Sequence, residues 1–170
     1  SDVEGKKALG IDFISQFIGS DRLYEEKYLS DISDEYKTII EAYCEGINRF
    51  AELHPEQILS KKLFPINTKS LFLYGQLQLF VSSKGDYWVK KILKNKLNYK
   101  PVNDAVKGSN TFAFNSSKTK DGNTYLAINT HQPLDGPTSW YEVHLNSEEG
   151  TDIIGALFAG SPNVLIGANR

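Results

Sequence analysis

Cysteine is almost absent from this chain, occurring once, at Cys44. A single thiol excludes an internal disulfide and a zinc site built on paired cysteines, and it leaves the redox compartment open. Long apolar runs are absent too: nothing approaches the roughly 20 consecutive residues that a membrane-spanning helix requires. Ser1 to Lys7 are polar and lack the apolar stretch of a signal peptide, so these residues offer no targeting information. Neither sign of charge dominates. With 19 Lys and Arg against 21 Asp and Glu, the net charge is −2 and the pI about 5.9. That balance lacks the basic stripe that displaces counterions from nucleic acid, so no nucleic-acid partner is expected. No Gly-x-Ser-x-Gly elbow occurs, which removes support for a serine enzyme of the α/β-hydrolase type.

What is present is a 170-residue composition that is 40% hydrophobic, suited to one globular domain or part of one. The two halves differ in period. Residues 7–29 carry apolar groups at Ala8, Ile11, Phe13, Ile14, Phe17 and Ile18 before a charged stretch, which predicts one or two helices with a polar connection. Ser33 is a good N-cap, with Asp34 and Glu35 where the helix dipole favours negative charge. From there Tyr36, Ile39, Ile40, Tyr43, Ile47 and Phe50 form a helical stripe that stops at His54-Pro55. Gly46 within the stripe predicts close packing against another element. Residues 70–81 are apolar nearly all round, as in a helix buried in a larger body, and Asp86 to Lys96 form a further amphipathic helix. The organisation expected is a helical region over 1–93, an exposed polar and basic connector over 94–108, and a strand-rich region over 109–170.

Beyond residue 109 the period becomes two, with strands expected over 111–115, 124–129, 140–145, 153–158 and 164–166 in an antiparallel meander. Asp121-Gly122 favours a tight hairpin between the first two. At the boundary stands Gly108-Ser109-Asn110-Thr111-Phe112-Ala113. Alone, a Gly-Ser-Asn tripeptide reads as an ordinary loop. It is followed by Leu126 to His131, then by Trp140 to Leu145, then by Gly155 to Arg170 with its Gly-Ser-Pro and Ile-Gly-x-Asn-Arg elements. The order and spacing of these blocks, together with Glu41-Ala42-Tyr43 and Gly46-Ile47-Asn48 upstream, resemble the penicillin acylase family over nearly the whole chain. That family comprises N-terminal-nucleophile amidohydrolases and includes acyl-homoserine-lactone acylases.

The resemblance implies an α+β fold, with the helical half and the antiparallel strands forming part of a four-layer αββα body. It implies a precursor that cuts itself between Gly108 and Ser109 and then uses Ser109 to hydrolyse the amide of an N-acylated small molecule. The chemistry is coherent, because a serine hydroxyl needs an adjacent base near neutral pH and a freed α-amine, with a reference pKa near 8, can supply one. Glycine upstream eases the geometry in which the hydroxyl attacks the Gly108 carbonyl. His131 is assigned by the resemblance to positioning the nucleophile and its amine. Trp140 and Tyr141 are candidates for lining an acyl pocket, although aromatics in strands more often form plain core. Asn110 is read as shaping the turn after the nucleophile, and His144 as packing within a strand without a catalytic role.

The chain reads Asn129-Thr130-His131-Gln132-Pro133-Leu134 where the family often has Asp-Pro-His-Leu, so substrate preference does not transfer: lactone signals, β-lactam side chains and other acylated amines all stay open. The resemblance also places the oxyanion-hole asparagine and amide beyond Arg170 and an opening strand before Ser1. The chain is therefore expected to need the remainder of the β-chain as its partner, and by itself to be nearly inert, since one lost oxyanion donor costs about 100- to 1000-fold. In isolation its sheet is expected to expose edges and apolar faces that invite association. No cofactor is required for the chemistry. Calcium occurs in several relatives, with ligands that lie largely outside this span; Asp86 is a weak candidate here, and the metal is left unassigned. A periplasmic or secreted location follows from the resemblance alone. The contrasting reading is a non-catalytic binding or packing module in which Ser109 is an ordinary loop residue.

Overall fold

A computed structural model describes residues 5–95 and 108–169. The chain is α+β and divides into two compact units, residues 1–86 and 87–170. The first unit is helical. After a short 3₁₀ turn at 5–8 come α1 (Leu9–Phe17), α2 (Ser20–Asp31), α3 (Asp34–Leu53) and α4 (Thr68–Ser82). Gly19 joins α1 to α2 in the left-handed conformation, at φ 69°, where a side chain would be strained. Ser33 caps α3 as the sequence predicts, its Oγ accepting from the Tyr36 amide at 3.3 Å, and the helix ends before His54-Pro55.

Packing between α2 and α4 is aromatic at its centre and ionic at its rim. The Phe72 ring meets Tyr24 and Tyr28 edge-on at 5.5 and 6.1 Å, and the hydroxyls of Tyr24 and Thr68 lie 2.8 Å apart. Lys69 donates to Asp21 at 2.8 Å and to Glu25 at 2.7 Å, and these two hydrogen bonds raise its pKa. Asn48 of α3 staples the segment before α4: its Nδ2 donates to the Ile66 carbonyl at 2.8 Å, and its Oδ1 accepts from the Ile66 amide at 2.7 Å.

Two expectations for α3 need correction. The inward stripe runs through Tyr36, Ile40, Tyr43, Cys44 and Ile47, with Ile40 and Cys44 buried, whereas Ile39 and Phe50 are exposed. Phe50 stacks instead on His54, with ring centres 4.6 Å apart. Gly46 marks no close approach, since a Cβ there would meet open space. The all-round apolar helix is found as α4, which is half-buried along most of its length. A last helix, α5 (Gly85–Leu93), is shorter than the 86–96 expected, and the unit boundary falls in its first turn. Of the expected connector, residues 96–107 lie outside those described.

In the second unit the strands are β1 (Asn110–Phe114), β2 (Tyr125–Asn129), β3 (Trp140–Asn146), β4 (Asp152–Phe158) and β5 (Ile166–Asn169). They do not form one continuous meander. β1 pairs with β2, and β3, β4 and β5 form a separate antiparallel sheet, divided from the first by residues 130–139 with Pro133, Gly136 and Pro137. Prolines lack the N–H that a ladder needs, which is why pairing stops there. The β1–β2 connection spans 115–124 and includes a 3₁₀ turn at 116–118, so Asp121-Gly122 sits within a longer loop rather than a tight two-residue turn. The last strand begins two residues later than the pattern 164–166 suggests.

Gly155 and Gly167 face each other across β4 and β5, and a Cβ on Gly155 would run into the Ile166 carbonyl oxygen. Backbone proximity, not turn formation, is what this pair of glycines provides. Gly155→Ala should therefore destabilise the fold by about 1–3 kcal/mol through overpacking. Gly46→Ala, in open space within a helix, should stabilise it by about 0.5–1 kcal/mol. Chemical denaturation of the two variants beside the parent reads both, and equal midpoints for the pair would contradict this packing.

Candidate active site

Gly108 and Ser109 lie exposed immediately before β1, and Asn110 is the first residue of the strand. What brings other groups to this point is strand register. β1 and β2 pair so that Asn110 is opposite Asn129, Phe112 opposite Ala127 and Phe114 opposite Tyr125. Opposed residues in an antiparallel pair share a face, so both asparagines point the same way at the open end of the hairpin. His131, two residues past the end of β2, turns back onto them. Its Nε2 lies 3.3 Å from Asn110 Nδ2 and 3.4 Å from Asn129 Nδ2. These are long hydrogen bonds, beyond the roughly 2.7–3.2 Å usual for protein hydrogen bonds. The residue after Ser109 is thus in direct contact with His131.

The loop end of the hairpin holds that register. Asp121 accepts from the Tyr125 hydroxyl, from the Asn123 amide nitrogen at 3.2 Å and from the Asn123 side chain at 3.0 Å. Tyr125 is the first residue of β2 and is opposite Phe114, so this cluster fixes where pairing begins. A slip of one residue would send Asn129 to the other face and remove it from His131.

Trp140 and Tyr141 do not share a surface, because they are consecutive in β3 and point to opposite faces. The Trp140 ring packs on Phe158 of β4 at 4.7 Å, while Tyr141 is exposed. The Trp140 indole N–H is buried with no partner among the described residues. A groove of about 480 Å³ does open in this unit, but it is lined by other residues, among them Ile128, Glu142, His144, Ile154 and Ala156. His144 is not packed within the sheet as its apolar neighbours suggest. It is exposed, and its Nε2 lies 2.8 Å from Asp152 Oδ1, a hydrogen bond that lowers the Asp152 pKa.

Asn129 is the residue that sequence reasoning passes over. The signal was partial: alternation gives β1 and β2 as neighbouring strands, but the ten-residue connection between them leaves open the register that sets Asn129 against Asn110. Among the described residues no three His, Cys, Asp or Glu side chains come together as a metal would require, and Asp86 belongs to no such group. No helix of the described residues is long and apolar enough to cross a membrane.

The family model for penicillin amidase matches the chain over residues 1–170. The chain therefore belongs to the penicillin amidase family, which places it among proteins that hydrolyse amides. No solved structure matches it.

Asp121 supplies a test of the loop that sets the register. Its hydrogen bonds, that from the Tyr125 hydroxyl first, lower its pKa from the ordinary 3.8 to about 2. A lowered carboxylate contributes stability that is complete above its unfolded value, near 4, and is lost as pH falls through about 2. An NMR titration of the Asp121 carboxyl carbon should give a midpoint near 2, and the Tyr125→Phe variant should move it upward. A midpoint near 4 in the unaltered protein would mean that the cluster does not hold the loop.

Proposed function

We propose that this chain carries the self-processing junction and nucleophile of an N-terminal-nucleophile amidohydrolase. In this reading the Ser109 hydroxyl first attacks the Gly108 carbonyl. The Gly108–Ser109 amide becomes an ester by an N-to-O shift, and water opens the ester to leave a Gly108 carboxylate and a free Ser109 α-amine. That amine then takes the proton from the Ser109 hydroxyl as it attacks the amide carbonyl of an N-acylated small molecule. The amine portion of the substrate leaves with a proton, and water hydrolyses the remaining acyl ester. His131 orients the nucleophile and its amine. The antiparallel strands belong, in this reading, to the double sheet of an αββα hydrolase completed by the remainder of the β-chain, in a protein of the periplasm or the cell exterior.

The observation that carries the proposal is the contact of His131 with Asn110, delivered by the pairing of Asn110 with Asn129. Two blocks 22 residues apart in sequence, which resemble site elements of the same family, are brought to one end of one hairpin. Family membership supports the amide as the bond attacked.

Intact mass under denaturing conditions, on the full-length protein and its Ser109→Ala variant, tests the reading. The parent should separate into two chains at Gly108–Ser109, and the variant should stay whole and hydrolyse no amide. An uncut parent, or a variant that still cuts and hydrolyses, would overturn it. His131→Ala should leave a folded protein whose kcat falls by about 100-fold, the scale of a reacting group left misplaced. Steady-state kinetics on an N-acyl amide series reads that loss, and an unchanged kcat would remove His131 from the site.

A further inference from the structure

We infer that Asn110 and Asn129 are positioning residues that orient the His131 ring with Nε2 as an acceptor, so that its neutral form carries the proton on Nδ1, an inference that rests on the amidohydrolase reading above for its catalytic meaning. The argument is one of donors and acceptors. An asparagine Nδ2 carries two hydrogens and can only donate, so a ring nitrogen facing it has to accept. His131 Nε2 faces two such groups, at 3.3 and 3.4 Å. A nitrogen that accepts carries no proton, and in a neutral imidazole the proton then sits on Nδ1.

The arrangement is built rather than incidental. The two asparagines come from different strands, stand directly opposite each other in register and meet the same ring atom. One of them follows the nucleophile in the chain, so the orientation of the ring and the start of β1 are tied together. The consequence is a division of labour. With its Nε2 lone pair engaged, His131 serves as a donor through Nδ1–H, and proton abstraction from the Ser109 hydroxyl is left to the Ser109 α-amine.

The test combines a spectroscopic readout with kinetics in the full-length protein. Selective 15N-histidine labelling distinguishes acceptor-type from donor-type ring nitrogens, and His131→Gln identifies the signals of this ring among the three histidines. The expected result, read at a pH where the ring is neutral, is an acceptor-type Nε2 and a donor-type Nδ1. Asn129→Asp in an Asn110→Ala background replaces both donors by one acceptor and should bring a proton to Nε2. Asn129→Ala should lower kcat on the order of tenfold, with KM within about twofold, as when a group that orients a catalytic ligand is removed. The Asn110→Ala/Asn129→Ala double variant should lose much less than the product of the single losses, because both act on one atom.

A donor-type Nε2 in the unaltered protein, or an Nε2 that stays acceptor-type in the Asn110→Ala/Asn129→Asp variant, would overturn the inference. So would a kcat unaffected by Asn129→Ala. The ring signals can be read in the Ser109→Ala protein as well, which needs no activity. A protein that neither cuts itself nor hydrolyses amides, yet shows the expected tautomer and its reversal, would therefore fail the amidohydrolase reading and the positioning role while leaving the ring assignment intact.

Discussion

Everything at the candidate site depends on the antiparallel register of β1 and β2. Side chains in a strand alternate between faces, so register is a binary choice repeated along the ladder: correct pairing puts Asn110, Phe112, Phe114, Tyr125, Ala127 and Asn129 on one face, and a one-residue slip dismantles that set. Because the hairpin loop is long, the choice does not follow from a short turn. It is made by Asp121, whose carboxylate gathers the Tyr125 hydroxyl and both nitrogens of Asn123 at the loop end. An ionic and hydrogen-bonded cluster at one end of the hairpin thus determines which side chains meet His131 at the other.

Each unit is sparing with its core. The buried apolar side chains among the described residues are Ile14, Tyr28, Ile40, Cys44, Val89, Ala156 and Phe158, while Leu59, Leu134 and both faces of the β1–β2 ribbon are open. Local devices therefore count for more: the Ser33 cap, the Asn48 staple on Ile66, the Lys69 bridge between α2 and α4, and the contact of β4 with β5 at Gly155 and Gly167.

Much of this was legible in advance because it rests on local chemistry. The start and stop of α3 follow from a serine cap and a His-Pro boundary, and the change from helical to alternating period locates the first four strands within one residue at each end. Asn129 and the stripe of α3 were not legible in the same way. Ile39 and Phe50 fit a helical spacing as well as Cys44 does, and only the neighbours of a helix decide which side of a broad stripe is covered. Gly46 and Gly155 read alike as glycines inside elements. One faces open space and the other a carbonyl oxygen, a difference that lies in the adjoining strand and not in the glycine.

By itself the sequence determined the α+β class, the positions of most elements and the family blocks from Gly108 to Arg170, since each depends on residues close together in the chain. The tertiary structure alone decided that the strands form two sheets, that Trp140 and Tyr141 face opposite ways, and that Asn110, Asn129 and His131 converge. Those facts depend on which strand lies beside which, and strand pairing is settled by hydrogen bonds and side-chain contacts between segments that no local pattern connects.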